Sequence, residues 1–155
     1  MMDSAREIEN LLYSYAERID NGDLDGVAAL FERGRVVRSG EPDAVGREAV
    51  RRMYQTRLYA DGTPRTKHVT TNAIIEVDEE AGTASCRSYY TVFQQTAQLA
   101  LQPIITGRYS DTFRLHEGRW WFDTRTFQVD QVGDVSQHLD ETRSRSLALR
   151  MVDRG

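Results

Sequence analysis

Apolar residues recur at helical spacing through the first third of the chain and at strand spacing after it. Ile8, Leu11, Leu12, Tyr15 and Ile19 fall at three- and four-residue steps, which predicts an amphipathic first helix. Asn21-Gly22 ends that helix, because glycine takes the left-handed conformation beyond a helix terminus at little cost. Asp23 then caps a second, shorter helix carrying Leu24, Val27, Ala28, Leu30 and Phe31. Arg35 to Arg38 reads as a short strand. A third helix follows Gly46, with Val50, Met53, Tyr54 and Leu58 directed inward.

Beyond the Asp61-Gly62-Thr63-Pro64 turn the period changes to two. Strands are predicted over His68 to Val77, Thr83 to Gln95, Ile104 to His116 and Arg119 to Val129, the last two joined by a tight turn at Glu117-Gly118. Alternation puts Ala84, Cys86, Tyr90 and Val92 on one face of the second strand. In the first strand it puts His68, Thr70, Asn72 and Ile74 on one face and Val69, Ala73, Ile75 and Val77 on the other. Trp120, Trp121 and Phe122 cannot all face inward, so one ring covers the outer face. The Thr96 to Pro103 segment, with Leu99 and Leu101, is read as a hairpin tip over a pocket mouth or against a partner. Helices followed by a strand meander predict an α+β domain in which the sheet curls over the helices. That single domain spans 1–139, and 140–155 is a polar tail, helical or partly disordered, serving as a lid or a partner-binding arm.

Composition narrows the function. The chain has 155 residues, enough for one domain with a proper core. Charged residues make up 28% and the hydrophobic set 39%, the balance of a soluble globular protein. A net charge of −4, with the basic residues scattered, argues against nucleic acid as partner. Nothing resembles a signal peptide or a membrane span, so the expectation is a cytoplasmic protein with no membrane partner. The single cysteine, Cys86, allows no internal disulfide and no cysteine-cluster metal site, and reads as a small buried residue. His116 at a turn and His138 in the polar stretch that begins at Asp134 do not have the spacing of a metal triad with His68, and no metal or cofactor is expected. No glycine-rich phosphate loop follows a strand.

His68 is the most informative residue. Imidazole exchanges protons near neutral pH, and His68 shares its predicted strand face with a carboxamide and an isoleucine, a mixture suited to a small-molecule pocket. The competing reading is an ordinary hydrogen-bonded histidine near a sheet edge. Tyr15 lies on the apolar stripe of the first helix, so its hydroxyl needs a buried partner. Asp20 stands at the end of that helix, about 140° around from Tyr15 on an ideal helix, and enters the site only if the terminus bends toward it. Asp111 and Arg125 fall on neighbouring strands and read as a structural ion pair.

Several segments together resemble SnoaL-like proteins of the nuclear transport factor 2-like superfamily. They are Tyr13 to Phe31, the glycine opening the third helix at Gly46 to Val50, Lys67-His68 with Asn72, Gly107 to Asp111, Arg119 to Phe122, and Val132 to Leu139. The resemblance runs from about Ile8 to Leu139. It implies a cone of three helices packed on a strongly curved, mostly antiparallel sheet enclosing a pocket, and homodimers formed through the outer sheet face. It does not imply one chemistry, because relatives include scytalone dehydratase, bile acid 7α-dehydratase, ketosteroid isomerase, polyketide cyclases and proteins without activity. The dehydratases of the group place a tyrosine and an aspartate on the first helix and a histidine on the first long strand. Tyr15, Asp20 and His68 occupy those positions and are the expected catalytic set, with Asn72, Tyr90, Tyr54 and Phe31 contacting substrate. The implied activity is a cofactor-independent lyase or isomerase acting on a cyclic hydrophobic or aromatic molecule. The alternatives are a non-catalytic ligand-binding protein and an accessory subunit resembling the small subunit of ring-hydroxylating dioxygenases. The second histidine or aspartate that such dehydratases carry on the next strand has no counterpart in Thr83 to Gln95.

Overall fold

A computed structural model describes residues 3–152; positions 153–155 of the expected tail lie outside the described residues. The elements run α1 (Ser4–Asp20), α2 (Leu24–Ala29), β1 (Arg35–Arg38), β2 (Ala44–Val45), α3 (Gly46–Met53), β3 (Thr66–Asp78), β4 (Thr83–Thr96), β5 (Leu99–His116), β6 (Arg119–Val132) and α4 (Glu141–Val152). The strands form one curved, open sheet in the order β2-β1-β6-β5-β4-β3. Only β1 and β6 pair in parallel, and every other neighbour is antiparallel. This is the expected α+β architecture, with β2 as an unforeseen two-residue edge. No helix among the described residues is long and apolar enough to cross a membrane.

The helical stripe works as the spacing requires. Asp3 accepts the Arg6 N–H to cap α1, and Ile8, Leu12, Tyr15, Ala16 and Ile19 are buried against the sheet. Asp23 caps α2 in the same way through the Gly26 N–H. Between them Gly22 adopts a positive φ of 74°, and a Cβ there would stand 1.9 Å from the Gly62 carbonyl oxygen. Only glycine lets the loop preceding β3 close onto the end of α1. The third helix is shorter than its apolar pattern suggested. It ends at Met53, Val50 is its buried residue, and Leu58 is exposed on the loop that follows.

One strand departs from simple alternation. In β3 the register shifts between Thr71, opposite Tyr89, and Ile74, opposite Arg87, so Asn72 and Ala73 together face Ser88. Asn72 has a φ of 57°, in the left-handed region that asparagine tolerates better than most residues. The bulge exchanges the faces. Before it His68 and Thr70 point inward; beyond it Ala73, Ile75 and Val77 do, while Ile74 is 48% exposed. Val69, expected in the packing set, is 40% exposed on the outer face. Strand β4 alternates without interruption on its buried side, Ala84, Cys86, Ser88, Tyr90, Val92 and Gln94. The segment expected as a hairpin tip is mostly strand: the turn is Ala97-Gln98, and on β5 Leu99 is buried and Leu101 exposed. On β6, Trp120 and Phe122 enter the core, and Trp121 turns outward beneath the guanidinium groups of Arg33 and Arg119.

Inside the sheet Asp111 and Arg125 are fully buried and paired by two hydrogen bonds, at 2.9 and 2.8 Å. The guanidinium carbon lies 4.2 Å from the Tyr15 ring centre, 3.7 Å from Tyr109 and 4.9 Å from Phe122. Burial pushes the Asp111 carboxyl up, and the guanidinium draws it back toward ionisation. A fork-to-fork pair of this kind holds its register but is costly to break, because the remaining charge has nowhere to go. Asp111→Ala is therefore expected to lower the unfolding free energy by about 3–5 kcal/mol, read by urea denaturation, while Asp111→Leu combined with Arg125→Met recovers most of it. An unchanged urea midpoint for Asp111→Ala contradicts this account.

Candidate active site

The end of α1 and the head of β3 meet at one carboxylate. Asp20 Oδ1 lies 2.6 Å from His68 Nδ1 and accepts the Thr66 hydroxyl at 2.8 Å, and Oδ2 accepts the His68 backbone N–H at 2.8 Å. The expected bend of the helix terminus is not what brings Asp20 in: α1 stays helical through Asp20, and the head of β3 comes to the carboxylate. With Nδ1–H directed at a carboxylate, the neutral ring carries its lone pair on Nε2. Nε2 has no protein partner among the described residues, and the ring lines a cavity of about 1050 Å³.

Tyr15 and Tyr54 line the same cavity, and their hydroxyl oxygens are 2.5 Å apart. Tyr54 is the residue at which α3 stops, which aims its ring back at α1. Burial raises the pKa of both phenols, so they remain neutral hydroxyls at ordinary pH. Two hydroxyls sharing one hydrogen bond leave one proton to donate elsewhere. Tyr90 also lines the cavity; its ring stacks on Tyr109 at 4.4 Å and passes over Gly107, where a Cβ would come within 2.5 Å of it. Burial likewise pushes the Tyr90 phenol up.

Two expected contacts are misplaced. Asn72 does not line the cavity, because the bulge it forms turns it to the exposed side of the sheet. Phe31 is fully buried behind the cavity wall, stacked on Phe122 at 4.8 Å and edge-on to Tyr15 at 6.2 Å, so it supports Tyr15 without reaching a ligand.

Two features escaped the sequence reading. His138, which the sequence places in a polar stretch from Asp134 onward, is 7% exposed and lines the cavity with His68. Burial, reinforced by His68, pushes its pKa down to about 4. Its apolar neighbours Val135 and Leu139 were the available signal for a packed turn instead of a solvated one. The rest of the tail forms α4, which lies along the cavity mouth with Leu147 and Met151 among the lining residues. Arg150 ties it down through Glu41, at 2.7 Å, and the Ser39 carbonyl, at 3.3 Å. Among the described residues no group of three histidine, cysteine or acidic side chains is placed to hold a metal ion.

The SnoaL-like domain family matches residues 1–126. Among solved structures, a protein of unknown function from Mycobacterium tuberculosis is 26% identical, with 83% of this chain and 77% of that one covered and a TM-score of 0.68. A protein provisionally named scytalone dehydratase, from Novosphingobium aromaticivorans, is also 26% identical, with 84% and 86% covered and a TM-score of 0.68. An NTF2-like protein with a cystatin-like fold from the same bacterium, 24% identical over 92% and 87% at a TM-score of 0.68, is similar in fold. No curated protein matches the chain.

Histidine 138 has a consequence for stability. Its folded pKa of about 4 lies below the ordinary 6.5, so the unfolded chain binds the extra proton first. Its contribution is complete above pH 6.5 and is lost as pH falls toward 4, on the order of 3 kcal/mol in all. Urea denaturation at pH 7 and pH 4 is expected to show a smaller fall for His138→Gln than for the unsubstituted protein. Equal falls contradict the buried, neutral assignment.

Proposed function

The chain belongs to the SnoaL-like domain family, and from that footing we propose that it is a cofactor-independent lyase, removing water from a cyclic hydrophobic β-hydroxyketone. The observation that carries the reading is the 2.6 Å contact between Asp20 and His68 Nδ1 at the wall of a cavity. It directs the basic nitrogen of the imidazole at whatever the cavity holds, the arrangement by which a carboxylate orients a histidine base.

In this mechanism His68 Nε2 takes a proton from the carbon beside the ketone, and Asp20 faces the positive charge the ring acquires. The Tyr15–Tyr54 pair donates a hydrogen bond to the oxygen as negative charge builds on it. The imidazolium then gives its proton to the departing hydroxyl, releasing water and leaving a carbon–carbon double bond. Return of the proton to a different carbon makes the same residues an isomerase. The provisional name of one structural relative, scytalone dehydratase, supports the dehydration branch.

Two other readings fit less well. An accessory subunit of a ring-hydroxylating oxygenase wants a filled cone, and about 1050 Å³ is open here. A passive carrier wants its polar groups satisfied by the protein, and His68 Nε2 has no partner among the described residues. The same proposal pairs two copies through the outer face of β3 and β4, where Val69, Ile74 and Tyr89 are exposed. That assembly predicts a dimer by light scattering and a monomer for Tyr89→Glu; a monomer without substitution rules the contact out.

The chemistry is tested with 3-hydroxy-1-tetralone, whose loss of water yields fluorescent 1-naphthol. The protein is expected to accelerate that reaction, and His68→Ala to reduce the rate by about 10²-fold or more. Full activity in a folded His68→Ala protein would exclude His68 as the base.

A further inference from the structure

The turn that carries His138 is clamped from several sides. The Gln137 carbonyl accepts the Tyr59 hydroxyl at 2.6 Å and the side-chain amide of buried Gln94 at 3.1 Å. The His138 carbonyl accepts the Arg57 N–H at 3.3 Å, and the His138 N–H bonds the Val135 carbonyl at 3.0 Å. With its backbone held, the imidazole is buried to 7% exposure and faces the same cavity as His68. Its Nδ1 is buried and has no hydrogen-bond partner among the described residues.

An unpartnered nitrogen decides where the proton sits. A buried N–H without an acceptor is costlier and rarer than a buried lone pair without a donor. The Nδ1 position offers no acceptor, so the neutral ring keeps its proton on Nε2, the nitrogen that a ligand in the cavity can meet. His68 has the opposite tautomer, since Asp20 takes its Nδ1–H. One cavity thus holds one imidazole presenting a lone pair and another presenting a proton.

We propose that His138 is a second catalytic residue of the cavity, a neutral Nε2–H donor to the carbonyl or hydroxyl oxygen of the molecule on which His68 acts. The proposal rests on the proton-transfer reading of this cavity. His138 keeps its proton throughout: it binds oxygen as charge develops, while His68 carries the proton from carbon to the leaving group. Burial and the neighbouring His68 ring hold it uncharged at neutral pH. A neutral donor is suited to this place, because an imidazolium beside His68 would repel the charge the base must acquire. It also supplies from the C-terminal turn what β4 lacks, a second nitrogen group on the reacting molecule. Removing one such preorganised donor from a reaction of this class typically costs about 10²–10³-fold in rate.

The test uses nitrogen-15 NMR of the three histidines with and without 1-naphthol, a stable enol whose hydroxyl oxygen stands in for the reacting oxygen. The expected result is His138 as the Nε2–H tautomer, untitrated from pH 5 to pH 8, with its Nε2 signal shifted by 1-naphthol. His138→Leu should weaken 1-naphthol binding at least about tenfold, and His138→Gln, which keeps an N–H near the Nε2 position, should restore most of it. Melting temperatures identify any variant that has lost its fold, and the tautomer measurement needs no variant. A proton on Nδ1, a titration near pH 6.5, or unweakened naphthol binding by His138→Leu overturns the proposal. Failure to dehydrate 3-hydroxy-1-tetralone, with the tautomers and naphthol binding as expected, would sink the lyase reading alone.

Discussion

Helix layer and sheet are joined chemically at the carboxylate of Asp20. It accepts from the His68 ring, the His68 backbone and the Thr66 hydroxyl, so the last residue of α1 fixes both the position of β3 and the tautomer of its histidine. Hydrogen bonds to a charged acceptor contribute about 1.5–3 kcal/mol each. The joint forms only because Gly22 lets the loop before β3 reach the helix end. A single constraint therefore serves packing and chemistry together, and loss of Asp20 would disturb both.

Around that joint the cavity wall is aromatic and its support is ionic. Tyr15 touches the buried Arg125 guanidinium through its ring face and Tyr54 through its hydroxyl. The Asp111–Arg125 pair thus does more than the structural bracing expected of it: its cation packs directly beneath a ring that lines the site. Phe31 and Phe122 fill the space behind. Hydroxyls held neutral by burial, on rings that cannot swing, can respond to charge on a ligand without first reorganising.

Much of this was legible in the sequence, and the failures share a physical cause. Periodicity located α1, α2 and all four long strands, whereas the grouping of Tyr15, Asp20 and His68 came from the resemblance to SnoaL-like dehydratases and not from spacing. Asn72 was misread because alternation assumes an unbroken pleat, and the residue itself makes the bulge that breaks it. Leu58 was misread because α3 ends at Met53, where Tyr54 leaves the helix to bond Tyr15. His138 was missed because its turn is held by Tyr59 and Gln94 on the Gln137 carbonyl and by Arg57 on the His138 carbonyl, all distant along the chain. A turn that owes its position to remote partners leaves little local pattern to read.

Proton abstraction at carbon is the central claim, and it can be seen without a leaving group. The direct measurement is proton NMR of 1-tetralone in deuterium oxide, following exchange at the carbon beside the carbonyl. The account predicts exchange well above the buffer rate with the unsubstituted protein and near the buffer rate with His68→Ala. Exchange at the buffer rate in both, with 1-tetralone shown to bind, would contradict it.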